Sequence, residues 1–192
     1  MREFPTIDGI TLTAELGVGG MGAVYAGHDA VRGHEVAVKV LLSESPNDAS
    51  LRRFEREARA MMAVRHHNLC KAYDVGALAD GRPYLVMELL HGEDLGQRLD
   101  RDGVLNLEEA LTIVCEAGAG LIAAHQAGML HRDIKPSNIF LPADGSGVKL
   151  LDFGLAVFAG RGDETRVTIT GEVVGTPAYM APEQAHGTKT ED

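Results

Sequence analysis

The stretch Leu16–Lys39, LGVGGMGAVYAGHDAVRGHEVAVK, packs four glycines into the six positions 17–22 and then delivers a lysine amid valines. Glycines this dense let a backbone close around a ligand, because N–H groups approach with no Cβ in the way. The element directly after the glycines decides the fold. A dinucleotide-binding turn needs a helix there, and an acidic residue about 20 positions on for a ribose hydroxyl. Here AVYAGHDA reads as a strand, VRGHE as a turn and EVAVKVLL as a second strand. Lys39 arrives where the acid would stand, and a lysine suits phosphate. The stretch is therefore a strand–glycine loop–strand flap and not a Rossmann turn. For the loop alone, a glycine-rich hairpin without a ligand is the plainer alternative.

Upstream, Ile10, Leu12, Ala14 and Leu16 alternate with Thr11, Thr13 and Glu15, the period of a strand. In EVAVKVLL, Val36, Val38 and Val40 share one face, and Ala37 and Lys39 the other. Downstream, SPNDAS supplies capping residues and an early Asp48 for a helix. Leu51, Phe54, Ala58, Met61 and Met62 recur in it at helical spacing. That helix carries Glu55 and Glu57. Glu57 borders the apolar face, so it is the expected ion-pair partner of Lys39; a solvent-facing Lys39 is the alternative. Two further strands fit CKAYDVGAL and PYLVMELL, with ADGR as the turn between them.

Asn106 then caps a second helix, with Glu109 at its third position in a capping-box arrangement. Leu111, Val114, Cys115, Gly118, Leu121, Ile122 and His125 give that helix an apolar stripe, on which His125 is expected as a core residue. Gly118 and Gly120 each cost it about 1 kcal/mol relative to Ala, tolerable where another element packs tightly. Gly128 reads as the stop, and short strands fit NIFLP and VKLLDF.

A length of 192 residues suits one domain, and 45% apolar residues suit a globular one. The net charge of −10, with no basic run, argues against nucleic acid or an anionic membrane surface as partner. Cys70 and Cys115 stand far apart, which argues against a disulfide framework or zinc site and fits a reducing, cytoplasmic setting. MREFPTIDG lacks the apolar core of a signal peptide, and the longest apolar stretch, Leu111–Ala124, is broken by Glu116 and too short to span a bilayer. The His66–His67 pair has no spaced partner for a metal.

HRDIKPSN, residues His131–Asn138, stands between an apolar helix and an apolar strand, where charged residues do not suit core packing. DFG comes next at Asp152–Gly154. An isolated GxGxxG or DFG is commonplace; the ordered set is not. With GVGGMGAV, VAVK, FEREA, HRDIKPSN, DFG and GTPAYMAPE in this order, the chain resembles the catalytic domain of eukaryotic-like protein kinases. The resemblance runs from about Asp8 to the end. DIKPSN, with Lys135, resembles the serine/threonine class, and GGMG and APEQA are similar to bacterial members. The implied fold is α+β and two-lobed. An antiparallel-sheet N-lobe with one helix would occupy residues 8–89, and an incomplete helical C-lobe residues 90–192. The sequence ends soon after APE, short of the helix on which the catalytic loop of the family rests and of an arginine partner for Glu183.

The resemblance assigns roles. The loop Gly17, Val18, Gly19, Gly20, Met21, Gly22 would close over the triphosphate of ATP. Leu16, Ala23, Val24 and Ala37 line the nucleotide, with Met87 at the back of the pocket. The backbone from Glu88 to Leu90 would meet the adenine edge, and Asp94 the ribose. Lys39, oriented by Glu57, would hold the α- and β-phosphates. Asn138 and Asp152 would hold Mg²⁺. Asp133 would accept the substrate hydroxyl proton, and Lys135 would neutralise the travelling phosphoryl group. Thr176 braces Asp133 and Lys135. Thr168 and Thr170 are phosphorylation candidates, with Arg132 placed to pair with the phosphate. His131 would hold the catalytic loop.

The implied activity is ATP-dependent phosphorylation of serine and threonine hydroxyls of protein substrates. Autophosphorylation of the activation loop, in trans within a dimer, is expected with it. The alternative is an inactive truncated form acting as a nucleotide- or partner-binding module.

Overall fold

Alternating apolar residues build the first layer of the computed structural model, which describes residues 4–19, 22–41, 48–153 and 179–180. Strands β1 (Ile10–Gly19), β2 (Gly22–Asp29), β3 (His34–Leu41), β4 (Ala72–Ala77) and β5 (Pro83–Glu88) form an antiparallel sheet ordered β1-β2-β3-β5-β4. Helix α1 (Asp48–Ala63) links β3 to β4 and packs on β4 and β5. Val36, Val38 and Val40 pack with Ile7, Leu78 and Val86 on one face. On the other, Leu41 and Leu85 meet Phe54 and Ala58 of α1. Both faces of β3 are therefore buried, and Lys39 is only 5% exposed. Strand alternation assigned its face; the helix across that face excludes the solvent-facing alternative.

The β2–β3 turn is held by a charge. Asp29 is buried, and its Oδ1 accepts the N–H groups of Val31 and Arg32, both at 2.9 Å. Its Oδ2 lies 2.6 Å from Arg32 Nη1. The Arg32 backbone N–H and then its guanidinium hold the Asp29 carboxyl below its usual range. Arg32 Nη2 continues to the Tyr73 carbonyl at 3.1 Å, tying the turn to β4.

The second layer is a small sheet with two helices. Strands β6 (Gly92–Asp94), β7 (Ile139–Pro142) and β8 (Lys149–Leu150) pair antiparallel in that order. Helix α2 (Leu95–Asp102) is an element that apolar spacing does not announce. Its signal is the D-x-x-Q of Asp94 and Gln97, which exchange two hydrogen bonds of 3.0 Å in a capping box. Helix α3 (Leu107–Gln126) starts as expected, with Asn106 Oδ1 accepting Glu109 N–H at 2.9 Å. The Glu109 carboxylate, however, takes Arg98 Nη2 of α2 at 2.9 Å. After α3, Gly128 adopts φ +73°, the left-handed conformation that ends the helix.

The face of α3 is a correction. Ile113, Ala117, Gly120 and Ala124 are buried, whereas Leu111, Val114 and Ile122 of the expected stripe are exposed by 55%, 67% and 60%. His125 and Cys115 are exposed as well, so His125 is not a core histidine. The helix is apolar almost all round, so periodicity offers two stripes, and close approach chooses between them. A Cβ at Gly120 would sit 2.9 Å from the Asn68 carbonyl oxygen, whereas one at Gly118 would meet nothing within 4 Å. The small-residue face is the one that admits the segment at residues 68–69. There Leu69, Ile113, Ala117, Ala124, Leu150 and Phe153 form the second core.

The two layers are stitched by backbone. Leu150 N–H donates to Asn68 O, and Cys70 N–H to Leu150 O, both at 2.9 Å. The buried Asn68 side chain adds a bond from Nδ2 to Val148 O at 2.9 Å.

Candidate active site

Strand register assembles the upper wall. Val24 pairs with Lys39, Lys39 with Leu85, and Ala37 with Met87, so these side chains share one face of the sheet. Leu16 and Val18 are exposed at the flap, while Ala23 and Ala37 are buried. Gly17 and Gly19 lie in β1, and Gly20 and Met21 lie outside the described residues. At Gly22 a Cβ would fall 2.2 Å from the Val40 carbonyl oxygen, so β2 passes β3 there only because the residue is glycine. Met87 lines a narrow apolar cavity with Met61, Cys70, Leu85, Asp152 and Phe153, consistent with the back of a pocket. Burial, and then the charges of Glu88 and Asp152, push the Cys70 thiol far above its usual range. At the hinge, Glu88 N–H donates to Lys71 O at 2.9 Å. It is therefore not a donor for a ligand. Leu90 lies just beyond the β5 ladder. Asp94 is elsewhere engaged, its Oδ1 capping α2.

Lys39 bridges the layers. Its Nζ lies 2.6 Å from Asp152 Oδ2. Glu57 is half-buried on α1, at the edge of the face that carries Phe54 and Ala58. The Asp152 contact is one that spacing along the chain does not show. Asp152 has a left-handed backbone, at φ +58°, uncommon for a residue other than glycine. Arg132 is also left-handed, at φ +63°. Such conformations cost about 1–3 kcal/mol each and concentrate at functional sites.

Below them, the loop at residues 131–138 is held from within. The buried His131 receives Asp133 N–H at Nδ1 (3.3 Å), which puts its proton on Nε2, 2.7 Å from Leu151 O. Its ring tilts over Phe153 at a centroid distance of 4.4 Å. Burial holds its pKa below the ordinary 6.5. This one side chain couples HRD to DFG. Asp133 Oδ2 receives Lys135 Nζ at 2.8 Å and Asn138 Nδ2 at 3.1 Å. Asn138 Nδ2 also donates to Asp133 O at 2.7 Å, and Leu151 N–H to Asn138 O at 2.9 Å. Pro136–Asn138 forms a 3-10 turn that buries Asn138 and aims its amide.

Asn138, with its Nδ2 turned to Asp133, keeps Oδ1 as an oxygen donor, and Asp152 keeps Oδ1. Two hard oxygens fit Mg²⁺, which completes its shell with waters and phosphates. Among the described residues no three His, Cys, Asp or Glu converge as a cage for another metal. Gly154, Thr168, Thr170, Thr176 and Glu183 lie outside the described residues. Two residues escaped sequence reading: Asn68, and Lys149, a charge inside the apolar run VKLLDF. Among the described residues no helix is long and apolar enough to cross a membrane.

A family model described as the protein kinase domain matches residues 10–192. PknA of Mycobacterium tuberculosis, a serine/threonine-protein kinase, is 42% identical over 190 residues, covering 93% of this chain and 43% of PknA. PknB of Corynebacterium glutamicum, a probable serine/threonine-protein kinase, is 40% identical over 188 residues, covering 96% of this chain and 29% of PknB. The crystal structure of the M. tuberculosis PknI kinase domain superposes with a TM-score of 0.75 at 30% identity, covering 97% of this chain and 68% of that one. The chain thus spans less than half the length of these two curated relatives. With the family model running through flap, HRD and DFG alike, the chain belongs to the protein kinase domain family and is similar to its bacterial serine/threonine members.

Proposed function

We propose that the chain transfers the γ-phosphoryl group of ATP to serine or threonine hydroxyls of proteins. The observation that carries this reading is the continuous contact path Lys39–Asp152 and Asp133–Lys135–Asn138, joined through Leu151 to one backbone frame. Phosphoryl transfer is mainly positioning and charge neutralisation, and the path supplies both. Asp133 Oδ2 already holds two donors, so Oδ1 is the oxygen that accepts the hydroxyl proton. The hydroxyl oxygen attacks the γ-phosphorus, the bond to the β–γ bridging oxygen breaks, and ADP leaves. Lys135, 2.8 Å from Asp133, stands beside the moving charge. Lys39 would hold the α- and β-phosphates in place of Asp152, and Asp152 and Asn138 would be the residues that hold Mg²⁺. Mg²⁺ bound there supplies charge neutralisation across the phosphates.

Autophosphorylation at Thr168 or Thr170, between two copies, belongs to this reading and rests on the resemblance. The test is phosphate transfer from Mg·ATP to casein and to the chain itself. Asp133→Asn should lower the rate by about 10²–10⁴-fold, as expected for loss of a general base. Lys39→Met should abolish it. Unchanged incorporation in both variants would overturn the reading.

A second reading is nucleotide binding without turnover. The exposed apolar residues Leu111, Val114 and Ile122 of α3 favour it, because a bare apolar face of this kind marks an interaction surface. Its signature is stabilisation by Mg·ATP with no phosphate incorporation.

A further inference from the structure

Among the described residues, two ion pairs join the first sheet to the second layer. One is Lys39–Asp152. The other is Glu88–Lys149, 3.2 Å apart, between the last residue of β5 and the first of β8. They differ in one respect. On the ATP reading, Lys39–Asp152 would open for phosphates and metal to enter, whereas neither side chain of Glu88–Lys149 is assigned a part in the reaction.

We propose that Lys149 is a positioning residue for nucleotide binding, acting through the Glu88 carboxylate to fix the hinge backbone between the two layers. The inference rests on the reading of the site as one for ATP.

The geometry is specific. Glu88 Oε1 accepts both Lys149 Nζ and, at 2.8 Å, the Lys71 N–H. Glu88 N–H donates back to Lys71 O at 2.9 Å. Residues 88 and 71 are thus clamped by two bonds, one through the carboxylate. Lys149 sits beside Leu150, whose N–H and C=O bind Asn68 and Cys70. The pair therefore terminates the backbone seam between the layers, at the point from which Leu90 would meet the adenine. The side chains of Lys149 and Glu88 are 14% and 20% exposed, so the attraction is little screened and the partners are costly to separate. A pair of this kind is weak evidence of stabilisation and better evidence of a fixed register.

The experiment uses the full chain, with Mg·ATP as probe. Lys149→Met is expected to raise the KM for ATP by about tenfold, the effect of about 1.4 kcal/mol, while kcat changes by less than about twofold. Amide hydrogen exchange at Glu88 and Leu90 should quicken while Val38 and Val40 keep their protection. Lys149→Arg should restore both readouts. Should Lys149→Met fail to fold, Glu88→Gln keeps an acceptor for Lys71 N–H, loses the charge, and should shift KM and hinge exchange in the same direction. Two results overturn the inference alone: wild type and variant binding Mg·ATP equally with unchanged hinge exchange, or exchange rising equally at Val38 and Val40. A folded wild-type chain that does not bind Mg·ATP overturns the ATP reading, and this inference with it.

Discussion

Strand β3 and helix α3 are both rich in apolar residues, yet only one of them revealed its inward face in sequence. In β3 a side chain points to one face or the other, so alternation separates the valine face from the Ala37–Lys39 face, and both turn out buried. The structure covers both faces, with Ile7 and Val86 on one side and Phe54 and Ala58 on the other. In α3 the apolar residues surround the axis, and the buried stripe is the one with the smallest side chains, Ala117, Gly120 and Ala124. A strand offers only two faces, so alternation sorts its side chains; a helix apolar on most sides offers more than one stripe, and there steric access decides.

The largest effect is expected at the helix that packs against Leu41 and Leu85. Phe54 is fully buried, and Phe54→Ala should cost about 3–5 kcal/mol in denaturant unfolding. Leu111→Ala on the exposed stripe of α3 should change stability by less than about 0.5 kcal/mol. Equal losses would mean that the expected stripe is the buried one after all.

The two glycines of α3 sharpen the same point with opposite signs. Gly118→Ala meets open space and should stabilise by up to about 1 kcal/mol through helix propensity. Gly120→Ala places its methyl 2.9 Å from Asn68 O and should destabilise despite that gain. Stabilisation by both would remove the close approach as the reason for the chosen face.

His131, which joins the 131–138 loop to Leu151 and Phe153, makes stability depend on pH. Burial keeps it neutral in the folded chain, with a pKa below 6.5. The unfolded state therefore binds more protons in the window beneath 6.5, and stability falls as pH drops through it, levelling below the folded pKa. His131→Gln should lose less stability than wild type between about pH 7.5 and about pH 5.5. Identical melting profiles would contradict a buried neutral imidazole. The smallest effect is chemical. Cys115 is exposed on α3, whereas Cys70 is half-buried and its thiol is pushed far above its usual range, so a thiol reagent should label Cys115 well before Cys70 in the native chain.

Most of the first layer was legible because its signals are local. Alternation placed β1 and β3, the apolar run PYLVMELL placed β5, ADGR placed the β4–β5 turn, and the resemblance of the ordered motifs assigned Lys39, Asp133, Asn138 and Asp152. What escaped depends on contacts remote in sequence or on backbone conformation. Asp152 stands 113 positions from Lys39, and only the packing of the second layer against the first sheet brings the two together. Lys149 reads as an ordinary strand charge until β8 is set against the hinge. Helix α2 went unread, although its capping residues Asp94 and Gln97 stand in plain sequence.

The central claim is that Lys39 and Asp152 form one nucleotide site across the two layers. The most direct measurement is a thermal melt of the chain with and without Mg·ATP, for wild type and for Lys39→Met. A cooperative transition that rises with Mg·ATP in wild type, and rises less in the variant, is the predicted result, since a ligand that binds only the folded state stabilises it. A cooperative wild-type transition indifferent to Mg·ATP would contradict the claim.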